Sequence, residues 1–322
     1  MSCFKKWIST IINLITSPSS EGPTLVVTDI CNGRCIYCLE DSTTKSKYAD
    51  ITDKKIQYIL DEHYNEINIM GGEPLIYKNL DNVVRKVAAS GVSKIHLFTN
   101  GLLLTQKRLD ELYDAGVTIF HFNFPIHTAK EHEYLTGLPG NLNRQKEAIQ
   151  RACKKGKNTA TLIFVINSVN YKAMSDYVRY ASQNFPDLFY IMFILIKVKG
   201  RAKKNTWLVP RLSDIEPEMN KALNTAKELG IACLIDGIPL CFLKNHEAYS
   251  WDITHILNGN NIYPTDRTDT EACHKCTLSD ICVGARKDYV KIHGKSEFKT
   301  SSRNKDEILK IVKSGQLRLN EK

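Results

Sequence analysis

A regular alternation of strand-like and helix-like segments most constrains how this chain of 322 residues can fold. The strand-like segments are apolar, β-branched runs at 24–28, 67–70, 95–98, 117–124, 159–166 and 189–196. The stretches between them carry apolar residues at helical spacing, for example Leu80, Val83, Val84 and Val87. Strands that alternate with helices form a parallel sheet with right-handed crossovers. The sequence therefore predicts an α/β fold with six strand–helix units, two fewer than the common closed barrel contains.

Three closely spaced cysteines follow the first of these runs. Cys31, Cys35 and Cys38 stand in the sequence CNGRCIYC, in which Asn32 and Gly33 tolerate the positive φ that a tightly curled loop needs. Three thiolates at this spacing can ligate three irons of a four-iron cubane and leave the fourth iron open. A zinc knuckle or a chance group of buried thiols is the alternative, since the triple alone does not specify the metal.

Two polar turns follow the next two strand-like runs. They are Gly71, Gly72, Glu73 and Pro74, after the run 67–70, and Thr99, Asn100 and Gly101, after the run 95–98. The C-terminal ends of parallel strands are where ligands bind in α/β barrels. Adjacent glycines expose backbone carbonyls to a bound ammonium group, Glu73 adds a negative charge, and Pro74 stiffens the exit. Alone, GGEP could be an ordinary tight turn. Its position between the cysteine triple and TNG favours a binding role.

In that order, the cysteine triple, GGEP and TNG resemble the radical S-adenosylmethionine (SAM) superfamily over roughly residues 23–294. The resemblance implies a partial (β/α)6 TIM-like barrel in which Cys31, Cys35 and Cys38 hold a SAM-binding 4Fe–4S cluster. It also implies a set of SAM-binding residues: Tyr37 near the adenine, Gly71, Gly72, Glu73 and Pro74 at the methionine amino group, Thr99 and Asn100 in the next turn, and Asn123 at the ribose. Relatives often carry serine where Asn123 stands. No catalytic side chain is assigned.

A second group of cysteines lies beyond the predicted barrel. Cys273, Cys276 and Cys282 form a Cys-x₂-Cys-x₅-Cys run, and Cys241 lies upstream in a proline-preceded segment. Such thiols suit either a fully ligated iron–sulfur cluster or a structural zinc site. The run resembles the auxiliary-cluster extensions called SPASM and twitch domains, although Arg286 stands where a full SPASM motif continues with cysteine. We therefore expect these four cysteines to ligate one closed auxiliary 4Fe–4S cluster.

The remaining three cysteines carry no motif. Cys3, Cys153 and Cys233 are expected in the core by default, because free cysteines are commonly buried. Cys233 is the alternative auxiliary ligand or hydrogen donor, because it lies close in sequence to Cys241.

The expected organisation has four parts. They are an N-terminal amphipathic segment (1–22), the barrel (23–229), the auxiliary-cluster extension (230–294) and a basic tail (295–322). The N-terminal segment lacks a signal-peptide cleavage site, and no apolar run reaches the ~20 residues that span a bilayer. With about twenty residues before the barrel, we expect no leader-binding winged-helix domain in this segment. We expect the tail to fray around one helix near residues 306–313. An oxygen-sensitive cluster favours the cytoplasm.

The net charge of +9 raises the question of nucleic-acid binding. The basic runs 151–157 and 197–204 lack the interleaved aromatic residues of a base-stacking surface, so they give no strong nucleic-acid signal. The second run follows the last predicted strand, where a lysine or arginine could pair with the carboxylate of SAM or with an acidic substrate. His121, His127 and His132 follow the fourth strand and could line the site or be structural.

The resemblance implies an enzyme that reductively cleaves SAM to a 5′-deoxyadenosyl radical, which abstracts a substrate hydrogen. A reducing partner such as flavodoxin or ferredoxin is implied as well. Because SPASM-like proteins often modify peptides, a ribosomally made peptide or protein is the first expected substrate. The alternative is a small molecule such as a sugar or nucleotide derivative. A second alternative is a non-catalytic zinc-binding protein, in which GGEP and TNG would have no role.

Overall fold

The fold is an open parallel α/β barrel. The computed structural model describes residues 23–41, 56–57, 61, 64–156, 158–257 and 266–320. Within them, seven parallel strands form one sheet, β1 (Thr24–Val26), β2 (Glu66–Met70), β3 (Lys94–Thr99), β4 (Ile119–Asn123), β5 (Ala160–Ile166), β6 (Tyr190–Leu195) and β7 (Cys233–Asp236). Each strand pairs with the next one along the chain, so the sheet winds in a single direction, and β1 and β7 form its two edges. The predicted α/β class and partial-barrel architecture are confirmed.

Helices connect these strands and continue beyond the sheet. They are α1 (Leu80–Ala89), α2 (Gln106–Ala115), α3 (Ala129–Thr136), α4 (Leu142–Lys155), α5 (Met174–Asn184), α6 (Leu212–Leu229), α7 (Trp251–Leu257), α8 (Lys287–His293) and α9 (Lys305–Asn320). The ends of helix α2 are set by its capping residues. The side chain of Thr105 caps the N-terminus by accepting a hydrogen bond from Arg108 N, and Gly116, at φ 124°, ends the helix.

The two faces of the sheet differ because side chains alternate along a strand. Leu97, Phe122 and Phe164 point to the face that the helices cover, and all three are fully buried in the main core. The other face carries polar and aromatic groups, including His96 and His121. The Nδ1 atom of His96 lies 2.8 Å from the Nε2 atom of His121. The apolar face thus anchors the helices, and the C-terminal ends of the strands are left for the loops that carry the motifs.

The sheet contains one strand more than the six predicted from sequence. Strand β7 pairs in parallel with β6, in register from Ile191 opposite Cys233 to Ile194 opposite Asp236. It was missed because it has only four residues, Cys233–Asp236, and lies close to the second cysteine group. The predicted helix near residues 306–313 is present as the longer α9, whereas the predicted amphipathic segment 1–22 lies outside the described residues.

The chain beyond β7 is tied to the barrel by a buried arginine. Strands β8 (Arg267–Thr268) and β9 (Ala285–Arg286) form a short antiparallel pair. The guanidinium of Arg286 donates to the carbonyls of Leu195 (2.8 Å) and Ile196 (2.7 Å), at the end of β6, and pairs with Asp288. The extents of the four sequence-based parts remain predictions. In the described part of the chain, no helix is long and apolar enough to cross a bilayer.

Candidate functional site

The loop with the cysteine triple is held from two sides at the C-terminal end of β1. On one side, the amides of Arg34 and Ile36 donate to carbonyls at the end of α3, over 2.8 and 3.0 Å. On the other, Arg201 donates through its amide to the Cys38 carbonyl (2.9 Å) and through Nε to the Cys35 carbonyl (2.9 Å). The loop conformation is therefore fixed by bonds to its backbone, which leaves the thiols available.

The sulfur atoms of Cys31 and Cys35 lie on one side of the loop, around Gly33. A Cβ atom placed on Gly33 would lie 3.7 Å from Cys31 Sγ and 3.8 Å from Cys35 Sγ. Burial and the mutual proximity of the thiols raise the pKa of Cys31 to about 11 and that of Cys35 to about 12. Without a metal these side chains are protonated thiols, and metal binding would displace their protons.

The GGEP turn lies directly against the chain that leads into this loop. A Cβ atom on Gly71 would lie 2.2 Å from Thr28 O, and one on Gly72 would lie 2.2 Å from Ile30 O. The amides of Gly72 and Glu73 donate to these same carbonyls, each over 2.7 Å. No residue with a side chain fits at either glycine, so the turn and the cysteine loop are built as one unit.

Glu73 joins the GGEP turn to the TNG turn. Its buried carboxylate accepts from Thr99 Oγ1 (2.6 Å), Asn100 N (2.7 Å) and Leu75 N (3.1 Å). Burial raises the pKa of Glu73, and these three hydrogen bonds oppose that shift. The carboxylate thus fixes the position of the second turn relative to the first, in addition to any contact with a ligand.

Three amide side chains and one tyrosine complete the polar surroundings. Asn100 Nδ2 donates to Asn32 Oδ1 (2.7 Å), which links the TNG turn to the cysteine loop. Tyr37 is buried and donates to Asn123 Oδ1 (3.0 Å), and Asn123 Nδ2 lies 3.9 Å from Cys35 Sγ. All the residues that the sequence assigned to the cluster and to SAM therefore lie at this one end of the barrel, around the cysteine loop.

Gln145 and His132 form a buried, hydrogen-bonded pair that supports this site and that the sequence did not predict. Gln145 Nε2 donates to the carbonyls of Asn100 (2.6 Å) and Asn123 (2.9 Å), so its Oε1 faces His132 Nε2 at 2.7 Å and accepts a hydrogen bond from the Nε2–H group. Burial lowers the pKa of His132, and the hydrogen bond to Gln145 opposes that shift. Only the occurrence of His132 near the fourth strand hinted at this; the position of Gln145 on α4 carries no sequence signal.

The second cysteine group surrounds a separate cleft, lined by Cys241, Cys273, Cys276 and Cys282. Burial and the neighbouring thiols raise the pKa of Cys241 to about 12. The amides of Leu240 and Gly284 each lie 3.5 Å from Cys282 Sγ. The described residues contain no three His, Cys, Asp or Glu side chains arranged to hold one metal ion, so the fit of either group to a cluster rests on the number and shared location of its thiols.

The other sequence candidates lie apart from both cysteine groups. Cys153 and Cys233 are buried in the main core, as expected by default, and Cys3 lies outside the described residues. His121 is buried on the face of the sheet opposite the main core, where it hydrogen bonds His96 and Thr161. His127 is half-buried, with its ring centroid 5.0 Å from that of Tyr180.

An open parallel barrel with a three-thiol loop after β1 and paired polar turns after β2 and β3 defines a class of cofactor-dependent α/β enzymes. Residues 25–181 match the family model described as the radical SAM superfamily, and the chain belongs to this superfamily, as an enzyme of the radical SAM type.

Curated relatives share a single activity name. The chain is 27% identical to the GTP 3′,8-cyclase of Alkaliphilus metalliredigens, over 62% of this chain and 66% of that protein. It is 27% identical to a probable GTP 3′,8-cyclase of Methanococcus vannielii, over 79% of this chain and 78% of that protein. It is 32% identical to the GTP 3′,8-cyclase of Peptoclostridium acidaminophilum, over 54% of this chain and 56% of that protein. The alignments with the first and third cover only 66% and 56% of those proteins.

Solved structures show the same fold at low sequence identity. Streptococcus suis SuiB bound to S-adenosylmethionine aligns with a TM-score of 0.59 and 14% identity, over 87% of this chain and 76% of that one. Native anSMEcpe with bound AdoMet and Cp18Cys peptide aligns with a TM-score of 0.58 and 15% identity, over 92% of this chain and 98% of that one. Identities this low establish a common fold alone.

Proposed function

We propose that this enzyme acts on a small molecule of the nucleotide class by radical SAM chemistry. When bound, a reduced 4Fe–4S cluster and SAM supply a 5′-deoxyadenosyl radical that abstracts hydrogen from a substrate. The observation that carries the proposal is the joined unit of cysteine loop, GGEP turn and TNG turn, in which Glu73 bonds both Thr99 and Asn100. Such a unit can hold three cluster thiolates beside a site for an amino acid moiety.

Each residue in this unit has a proposed task. Cys31, Cys35 and Cys38 ligate the cluster, and the backbone at Gly71 and Gly72 faces the ammonium group of SAM. The buried charge of Glu73 strengthens that contact and orients the TNG turn. Asn123 and Tyr37, which are hydrogen bonded to each other, border the nucleoside part of SAM.

The substrate class is where the proposal departs from the first expectation of a peptide. The curated relatives are named for a reaction of GTP, which favours the small-molecule alternative. The likeness to SuiB and anSMEcpe concerns the fold alone and therefore gives no support to a peptide substrate. We thus place a nucleotide first and a peptide second.

A direct comparison of substrates tests this proposal. Anaerobically reconstituted enzyme is incubated with SAM and dithionite, together with GTP, other nucleotides or candidate peptides, and 5′-deoxyadenosine is quantified. With the correct substrate carrying deuterium at the reacting carbon, deuterium appears in 5′-deoxyadenosine. Stimulation by peptides and by no nucleotide would refute the substrate class. Failure of the loaded enzyme to cleave SAM under any condition would refute radical SAM chemistry itself.

We also propose that Cys241, Cys273, Cys276 and Cys282 ligate one auxiliary 4Fe–4S cluster. Support comes from the shared cleft and from the pKa of Cys241, which burial and the three neighbouring thiols of the group all raise. A fully ligated cluster would carry an electron away from a substrate radical or support the structure. Iron and acid-labile sulfide analysis distinguishes it from the zinc alternative, since a structural zinc site contains neither.

The proposed reductant and the proposed location both follow from the need to keep the cluster reduced. A low-potential carrier such as flavodoxin or ferredoxin is the proposed reductant, and the cytoplasm is the proposed location because it keeps thiols reduced.

A further inference from the structure

Two exposed aromatic side chains lie beside each other next to the cysteine loop. Tyr134 on α3 is 55% exposed and Trp207 is 52% exposed, and their ring centroids are 6.5 Å apart. A third apolar side chain, Leu39, follows Cys38 directly and is 44% exposed. Single exposed apolar residues are ordinary, but a pair of aromatic rings more than half exposed and in contact is typical of an interaction surface.

The backbone ties both rings to the same point of the loop. Leu135, which follows Tyr134, accepts from the amide of Ile36 over 3.0 Å. Asn205, two residues before Trp207, donates through Nδ2 to the carbonyl of Ile36 over 3.2 Å. Ile36 is bonded covalently to Cys35, so the backbone next to each ring is held to the cysteine loop by one hydrogen bond.

The Trp207 side of this surface is rigid. Ser168 donates through Oγ to the Trp207 carbonyl (2.8 Å), and its amide donates to the Leu208 carbonyl (2.9 Å). The turn that precedes Trp207 contains Gly200, where a Cβ atom would lie 2.3 Å from the Leu39 carbonyl. The exposed rings are thus presented by a backbone that is locked onto the cysteine loop.

The charge around these rings is positive. The segments 31–41 and 197–207 contain six basic residues, Arg34, Lys197, Lys199, Arg201, Lys203 and Lys204, and two acidic ones, Glu40 and Asp41. Lys203 and Lys204 are exposed in the turn before Trp207, and Asp41 is engaged by Arg201 at 3.6 Å. A nearby acidic residue on α3, Glu133, accepts from the amide of Gly140 over 2.7 Å. A basic rim of this kind attracts an acidic partner.

We propose that Leu39, Tyr134, Lys203, Lys204 and Trp207, here called the aromatic patch, dock an acidic protein that carries a low-potential one-electron donor at its surface. This inference rests on the proposed cluster at Cys31, Cys35 and Cys38. In the docked complex the donor protein is oxidised by one electron and the cluster is reduced by one electron, with no bond made or broken. The aromatic rings supply the apolar contact and the lysines supply the attraction.

The test compares two reductants on the reconstituted full-length enzyme. Reduction of the cluster is followed by its visible absorbance under anaerobic conditions, once with dithionite and once with reduced flavodoxin as the acidic carrier. The variants are Tyr134→Ala with Trp207→Ala, and Lys203→Glu with Lys204→Glu. Tyr113→Ala is the matched control, because Tyr113 is an exposed aromatic residue (39%) on α2, outside the segments that bond to the cysteine loop.

Both double variants are expected to slow reduction by flavodoxin about 10-fold or more, while iron content and the dithionite rate stay at the wild-type values. The wild-type flavodoxin rate should fall as salt is added, since exposed charges are screened. Unchanged flavodoxin rates in the variants would overturn the proposal. So would an equal loss with both reductants, which would indicate a disturbed loop, or a wild-type enzyme that dithionite reduces and flavodoxin does not. Absence of a reducible cluster in the wild type would refute the proposed function instead.

Discussion

The two cysteine groups differ in what surrounds their thiols. Around the triple, polar side chains converge from neighbouring strands: Asn32 from the loop itself, Glu73 and Asn100 from the turns after β2 and β3, and Asn123 from the end of β4. At the second group, the hydrogen bonds to sulfur come largely from backbone amides, such as those of Leu240 and Gly284 to Cys282. Three thiols with polar neighbours suit a cluster that also binds a ligand, and four thiols suit one that is closed.

The scaffolds of the two groups differ as well. The triple follows a strand of the seven-stranded sheet and packs against glycines that admit no side chain. All four cysteines of the second group lie on short 3₁₀ turns or directly after them, and the strands that flank three of them in sequence, β8 and β9, have two residues each. A rigid parallel sheet positions several loops at once, whereas a small extension with little regular structure depends more on its own ligands for stability.

Removal of the triple should have the largest effect. Replacing Cys31, Cys35 and Cys38 together with alanine is expected to abolish SAM cleavage, because no ligand for the catalytic cluster remains. Iron should fall from about eight to about four atoms per chain, since the auxiliary cluster is retained. Iron analysis and 5′-deoxyadenosine production measure both effects, with Cys153→Ala as a control in the core. Full iron retention in the triple variant would show that these cysteines hold no cluster.

A methyl group at Gly72 should be nearly as damaging to the same site. In Gly72→Ala the new Cβ would lie 2.2 Å from the Ile30 carbonyl, so the GGEP turn and the cysteine loop must separate. We expect loss of most SAM cleavage and of iron at the triple, while the second group keeps its metal. The control is Gly156→Ala, whose Cβ would meet only Thr159 Cγ2 at 3.6 Å. Wild-type SAM binding by Gly72→Ala would contradict the view of turn and loop as one unit.

Much of the barrel and of the motif arrangement could be predicted from the sequence. The β-branched runs predicted six of the seven strands, each to within two residues, because strands buried in a parallel sheet have a strong apolar signal. The motif order predicted that the triple, GGEP and TNG would meet, because the C-terminal ends of neighbouring parallel strands share one edge. The short strand β7 has too few residues to give such a signal.

The supporting contacts could not be predicted in the same way. Arg201 and Cys35 are 166 residues apart in sequence, and Gln145 bonds carbonyls 22 and 45 residues away. Such bonds depend on the closure of the whole barrel, and the side chains that make them are of types common on any protein surface. The sequence therefore predicted the residues that meet around the cysteine loop, whose roles as ligands stay predictions, and it missed distant supporting residues such as Arg201 and Gln145.

Variants at Glu73 and Thr99 separate the effect of the Glu73 charge from the effect of its hydrogen bond to the TNG turn. Glu73→Ala removes the buried charge that we propose faces the ammonium group of SAM, and it should weaken SAM binding by about 1.5–3 kcal/mol, or roughly 10- to 150-fold in Kd. Thr99→Val removes one hydrogen bond to the carboxylate and keeps its charge, so a smaller increase in Kd is expected. Isothermal titration with SAM on reconstituted enzyme measures both. An unchanged Kd in Glu73→Ala would leave Glu73 with a structural role alone.

Cys241→Ala should have the smallest effect on SAM cleavage and the clearest effect on the second group. Cys241 is the only one of the four thiols that lies outside the segment 273–282, and it faces the same cleft. Its loss should open one iron of the auxiliary cluster and change that cluster's electron paramagnetic resonance spectrum, while SAM cleavage without substrate stays near the wild-type rate. The control is Cys233→Ala, which is close in sequence but lies in the barrel core.

Spectra recorded with and without substrate decide what the second group does. A closed four-cysteine cluster in the wild type should give the same spectrum in both conditions, because it has no free iron to bind substrate. A wild-type spectrum that already indicates three cysteine ligands, and that shifts when substrate is added, would show an open cluster that binds substrate directly. The contrast between an open first site and a closed second site would then fail, and with it the role of the second cluster as a conduit for electrons.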